Sequence, residues 1–306
     1  QRLNDEPNEV LDRLRADLPD IFHAIVASLE ANETERAIAM THALVVDADY
    51  LQARGGGTWL IDLTRRVAGA AEADDRPDVA ERLWVKAANA VRSVLNDMDE
   101  TVRIYRHALG LAERTGDIAR QVMLHAILGA ALNARSPVLA DEHLATARAL
   151  AEAADDDAMR CEVLQRAAYV AAVRNDHARA RDLNEAAVAI AERLLRDGAR
   201  DRARAASLLF YSLYNLGASH DELGGVAESV SYRQRALEVA QARGQQLWAA
   251  HAHQDLAIAH QALGAIDVAI EHAAEAARIY GHQSATSNRE SVEQLLDELR
   301  TAKTSR

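Results

Sequence analysis

The residues of this sequence best equipped for chemistry are twelve histidines and one cysteine, and their spacing limits what they could do. The densest group is His251, His253 and His260. On a helix His253 and His260 would share a face, but about 10 Å of rise separates them, too far for one metal ion to bridge. His251 points elsewhere, so the group reads as surface or groove-lining side chains and not as a zinc site. Cys161 lies in the helical run Met-Arg-Cys-Glu-Val-Leu, where a thiol packs as a small apolar residue. With no second cysteine there is no internal disulfide, which fits a reducing compartment and predicts a cytoplasmic protein. Asp155-Asp156-Asp157 falls at a helix break, where a solvated turn and an N-cap account for it. Gly55-Gly56-Gly57 is followed by Thr-Trp, with no lysine to reach a phosphate, and no Gly-x-x-x-x-Gly-Lys-Ser/Thr, His-Glu-x-x-His or Gly-x-Ser-x-Gly stretch occurs. No catalytic group, cofactor or metal is expected; the sequence does not read as an enzyme.

What does recur is a methyl group. Ala108, Ala147, Ala187, Ala236 and Ala276 are separated by 39, 40, 49 and 40 residues, each within a similar phrase. The clearest copies are residues 101–116, 229–244 and 269–280. Such a period predicts stacked helix hairpins. The small residue has a direct cause: where two helices cross closely a methyl fits, and anything larger forces them apart. Composition agrees, since 49% apolar residues with 4% aromatic, 27% charged and four prolines favour helix throughout. At 306 residues, two domains or one elongated array are both allowed. A formal charge of −12 argues against a phosphate-binding face, so no nucleic-acid partner is expected. No apolar stretch approaches the ~20 residues a bilayer span needs, and no signal segment opens the chain. Beginning at Gln1, the sequence reads as a piece of a larger protein.

Leu11, Leu14, Leu18, Ile21, Ile25 and Leu29 form one stripe and predict a helix over 8–31. Asn32 to Glu35 reads as a turn with an N-cap, starting a second helix over 33–52. After the glycines a third helix runs through Trp59, Leu63 and Val67 to about residue 73, and Pro77 begins the next. Helix pairs then follow over 78–115, 118–155, 158–197, 202–243 and 246–280. In the first of these, Trp84, Ala88, Val91 and Leu95 fall on a single face, predicted to be buried. Gly116, Gly198 and Gly244 are placed as left-handed C-caps. The 49-residue interval comes from residues 193–204, which lengthen a helix or the loop after it. Ser287 to Glu290 is a capping box opening a last helix whose Val292, Leu295, Leu296 and Leu299 would cover an open stack end. The expected organisation is a helical lead-in over 1–77, five helix pairs over 78–283, and a capping helix with tail over 284–306.

These phrases resemble tetratricopeptide repeats. Asn215-Leu216-Gly217 with Leu223-Gly224, Ser229, Tyr232 and Ala236 is the fullest copy, and Leu256-Ala257 with Leu263-Gly264, Ala269, Ala273 and Ala276 is next. Leu128-Gly129 with Ala147, Asn89 with Tyr105 and Ala108, and Ala180 with Ala187 are degenerate copies. None keeps the family's terminal proline, and periods near 40 exceed its usual length. The resemblance implies an all-α, right-handed α-solenoid of antiparallel helix pairs, with first helices lining a concave face. Carrying its register over nominates Lys86, Gln165, Tyr169, Tyr211, Tyr214, Asp221, His251, Gln254 and Gln261 as partner-binding positions. Tyr211 and Tyr214 stand out because tyrosine combines large contact area with a polar tip. Residues 11–44 resemble the lead-in to the helical region of STAND-type bacterial signalling ATPases. That resemblance implies a sensor role within a larger regulator. Its partner would be a protein or peptide, a regulatory domain of the same polypeptide, or a small-molecule inducer. The alternative is a free-standing scaffold or adaptor that assembles complexes.

Overall fold

The computed structural model of the protein describes residues 7–45, 57–199, 201–282 and 286–304; of these, the side chains of 7–16, 42–45, 57, 282, 286 and 287 are not described. Among the described residues are fourteen α-helices and no strand. They fall into two compact units, Gln1–Ala154 and Asp155–Arg306. Unit 1 holds α1 (Pro7–Glu30), α2 (Thr34–Val45), α3 (Gly57–Ala73), α4 (Pro77–Ala90), α5 (Met98–Thr115), α6 (Ile118–Leu132) and α7 (Pro137–Ala153). Unit 2 holds α8 (Asp157–Val173), α9 (His177–Arg196), α10 (Arg202–Glu222), α11 (Val226–Ala242), α12 (Gln246–Ala262), α13 (Ile266–His282) and α14 (Thr286–Thr304). Within each unit every helix packs on the next in the chain, an all-α arrangement of the α-solenoid kind.

Helix ends are written in the sequence. Asp97, Asp117, Asp156, Asp176 and Asp201 each accept the N–H three residues on, opening α5, α6, α8, α9 and α10. Left-handed residues close the helices, with Gly116, Gly198 and Gly244 at φ of 67°, 75° and 65°. Asn32 belongs to this class: at φ 58° it ends α1 and does not cap α2, because asparagine tolerates the left-handed region that closes a helix. The long interval is resolved into helix: α9 has 20 residues and α10 has 21, against 17 for α8, α11, α12 and α13.

All five alanines of the repeat are fully buried. Where the repeat has glycine the approach is tighter still. A Cβ on Gly129 of α6 would lie 2.7 Å from Leu144 Cγ and 3.0 Å from the Ala140 carbonyl oxygen, both on α7. Gly129→Ala should therefore destabilise the chain by about 1–2 kcal/mol, overpacking outweighing the ~1 kcal/mol that alanine gains in helix propensity. A urea midpoint raised by this substitution would disprove the close crossing.

The α4 stripe departs from expectation at its end. Ala88 and Val91 are fully buried and Trp84 partly so, but Leu95 is exposed. Residues Val91–Leu95 form a π turn, whose extra residue per turn rotates Leu95 off the stripe. At the far end, Val292 and Leu299 of α14 are fully buried and join the core that α13 contributes to. The central glycines Gly55 and Gly56, the Leu11 and Leu14 side chains and the Ser287 side chain of the capping box lie outside the described residues.

Candidate binding site

Exposed large apolar side chains in unit 2 concentrate on the first helices of its hairpins, with Tyr169 and Val173 on α8, Tyr211 on α10, and Leu247 and Ile258 on α12; Leu223 and Leu263 are exposed in the turns that follow α10 and α12. The second helices α9, α11 and α13 expose one such residue, Val268, among the described ones. On α11 the exposed residues are instead polar apart from two alanines: Glu228, Ser231, Gln234, Glu238 and Gln241, with Ala227 and Ala242. Helical spacing explains the contrast, since Tyr169 and Val173 are four residues apart and Leu247 and Ile258 eleven apart, each pair on one face.

Contacts tie these first helices together. Gln165 Nε2 of α8 donates to the Leu208 carbonyl and to Ser212 Oγ of α10, both at 2.8 Å. Arg204 of α10 meets Glu162 of α8 at 2.9 Å. Between α10 and α12 sits an aromatic group. Phe210 stacks on Trp248 with centroids 4.7 Å apart and planes 14° apart, and Tyr211 meets Trp248 edge-on at 5.4 Å. Tyr214 also stacks on Phe210, with centroids 5.8 Å apart. These ring contacts hold Tyr211 in place while leaving the residue 45% exposed.

Beneath this layer runs a charged chain. Tyr214 hydrogen-bonds the Asp255 carboxylate, and burial together with that carboxylate pushes the phenol well above its ordinary pKa. Arg233 of α11 donates to the Asp255 carbonyl at 3.2 Å, and its Nη2 lies 2.5 Å from Asp221 Oδ2 and 3.6 Å from Asp255 Oδ2. The Arg233 side chain is only 8% exposed. Next along α12, His251 Nε2 contacts Asn288 Nδ2 of α14 at 3.3 Å, and its ring lies 5.6 Å from that of Tyr280. Burial pulls the His251 pKa down. The Tyr280 hydroxyl donates to Gln254 Oε1 at 3.0 Å.

The nominated residues thus divide. Tyr211, Tyr214, His251 and Gln254 come together around α10 and α12, with Tyr169 exposed on α8 and Gln261 partly exposed on α12. Gln165 has its amide committed to α10, and Asp221 lies below the face in the Arg233 ion pair. Lys86 is in unit 1, partly buried on α4, with burial pulling its ammonium pKa down. Trp248 and Arg233 were not nominated. Trp248 stands three residues before His251 on the same helix, a spacing that could have placed it beside the tyrosines. Among the described residues no group of three histidine, cysteine or acidic side chains is placed to hold a metal. Cys161 is buried, and desolvation pushes its thiol up to about 12, which disfavours the thiolate.

No protein-family model and no curated protein matches the sequence. Solved structures do resemble the fold. A signal transduction ATPase with numerous domains (STAND) carrying a tetratricopeptide repeat sensor, from Pyrococcus horikoshii, is similar over 96% of this chain and 43% of its own, with 15% identity and a TM-score of 0.59. BtubC from P. vanneervenii is similar over 76% of this chain and 92% of its own, with 20% identity and a TM-score of 0.56. A Rap protein complexed with Competence and Sporulation Factor is similar over 95% and 87%, with 13% identity and a TM-score of 0.57. The protein therefore has a tetratricopeptide-repeat fold.

Proposed function

We propose that this chain is a non-catalytic protein-interaction module that takes an extended peptide or protein segment on the first-helix face of unit 2. The observation that carries the reading is the segregation of exposed large apolar side chains onto α8, α10 and α12. Rigid aromatic anchors surrounded by polar side chains are what interface cores are made of. Tyr211 backed by Phe210 and Trp248 is such an anchor, and Asn215, four residues on along α10, supplies an amide on the same helix face. Within the larger setting, the module acts as the cytoplasmic sensor arm of a bacterial signalling or transcription regulator. The residue pattern of the lead-in helices and the likeness to a STAND sensor region support that setting, with no membrane or nucleic-acid contact required of the module itself. Among the described residues no helix is long and apolar enough to cross a membrane.

Trp248, at 5.4 Å from Tyr211, supplies an intrinsic fluorescence probe for a panel of extended peptides. For a peptide that changes its emission, Tyr211→Ala should raise Kd by about 30-fold, the loss expected of an interface hot spot. Glu238→Ala, on the outward side of α11, should leave Kd unchanged. Equal effects of the two substitutions would remove the face from α10. In the parent regulator, deletion of these residues should leave activity constitutive or uninducible; regulation that survives deletion would refute the sensor role.

A further inference from the structure

Two histidine pairs outside the binding face share one geometry. His125 of α6 and His143 of α7 bring their Nδ1 atoms to 2.9 Å, with centroids 5.0 Å and planes 47° apart. In unit 2, His253 of α12 and His272 of α13 bring theirs to 2.8 Å, with centroids 5.1 Å and planes 43° apart. Their register is also the same. His125 and His253 stand four residues before Gly129 and Ala257, and His143 and His272 four before the repeat alanines Ala147 and Ala276. The hairpin α10–α11 shows what else can occupy this register, with Leu213 and Tyr232 there. His260 stacks on His272 as His220 stacks on Tyr232, so the surroundings match as well.

Two imidazoles joined Nδ1 to Nδ1 hold a single proton between them: one ring donates N–H and the other must offer a lone pair. When both rings carry both protons, two N–H groups and two positive charges face each other across the same gap. The hydrogen bond is then lost and the hairpin is pushed open. We propose that the pairs His125–His143 and His253–His272 are acid-sensitive latches that keep their hairpins closed near neutral pH and release them in mild acid.

The surroundings favour release. Burial, the largest influence, pulls all four histidines below their ordinary pKa, His272 to about 4. Around the unit 1 pair, His125 and Arg106 of α5 act on His143 in the same direction and Glu142 of α7 against it. In unit 2, Glu275 of α13 raises and Arg278 lowers His253, while His253 and His260 both lower His272. Among the described residues no charge from α11 or α14 is a cause of either shift in unit 2. A folded-state pKa below the unfolded value means that protons bind the opened hairpin more readily. The stabilisation is complete above the ordinary histidine value near 6.5 and is lost as pH falls from there towards 4.

Amide hydrogen exchange on the whole chain tests the latches, with α10–α11 as the internal reference. Between about pH 7.5 and about pH 5, protection corrected for intrinsic exchange should drop at least about tenfold more in α6–α7 and α12–α13 than in α10–α11. Placing the residues of other hairpins in this register, with His125→Leu and His143→Leu in unit 1 and His253→Leu and His272→Tyr in unit 2, should abolish that extra loss. An equal drop in all hairpins, or the same loss in the substituted chain, overturns the proposal. Should the substituted chain fail to fold, NMR titration of the wild-type rings decides. Values for all four histidines at or above the ordinary 6.5 overturn the latch, and values well below it uphold it.

Discussion

Arg233→Leu should lower the unfolding free energy by about 2–4 kcal/mol. The guanidinium is buried and lies 2.5 Å from one carboxylate and 3.6 Å from another, so its removal leaves Asp221 and Asp255 facing each other with no cation between them. The two aspartates keep 30% and 22% of their side-chain surface in water, which lowers the expected loss below that of a fully buried pair. Much of the effect arises from the orphaned acids and not from the attraction itself. Adding Asp221→Asn and Asp255→Asn to Arg233→Leu should therefore recover more than half of it. Urea unfolding of the three chains separates these contributions; a single substitution without effect on the midpoint would mean that water reaches the arginine. Gly217 belongs to the same arrangement, since a Cβ there would sit 3.0 Å from Arg233 Cγ.

Ala236→Leu is the second large effect, about 1–3 kcal/mol of overpacking. Ala236 is fully buried on α11, in a core it shares with Leu216, Leu237, Leu256 and Ala269 from four helices. Interiors are packed to the density of organic crystals, so three added heavy atoms must displace neighbours or spread the hairpins. Two residues along, Glu238 points outward, and Glu238→Leu should change stability by no more than about 0.5 kcal/mol. The pair is informative because both substitutions add leucine to the same helix. If their melting curves coincide, the methyl-sized register of α11 is misplaced.

These two residues illustrate how differently the sequence disclosed its parts. Ala236 was visible because close helix crossings impose the same size limit in every hairpin, and a repeated constraint leaves a repeated letter. The cap within Asp155-Asp156-Asp157 was legible for a similar reason: Asp156 solves a local problem, an unpaired N–H at a helix start, with a local side chain. Arg233 was not visible. Its partners lie twelve residues before and twenty-two after it on other helices, and nothing local marks it as buried. Histidine shows both cases at once. His253 and His260 could be placed on one helix face, but His272, the ring that His253 meets, is contributed by the following helix.

By itself the chain determined its helices, most of their ends and the small residues at their crossings, since each is set by neighbours within a turn or by a period that recurs. Only the tertiary structure decided which nominated positions are exposed and which are paired between helices. Tyr169 and Tyr211 stay exposed, whereas Asp221 and Gln165 are drawn into bonds between helices. It alone divided the chain at Ala154, between two hairpins whose sequences look alike. The physical reason is that exposure and pairing are properties of packed surfaces. They depend on side chains tens of residues away, which no spacing within one helix records.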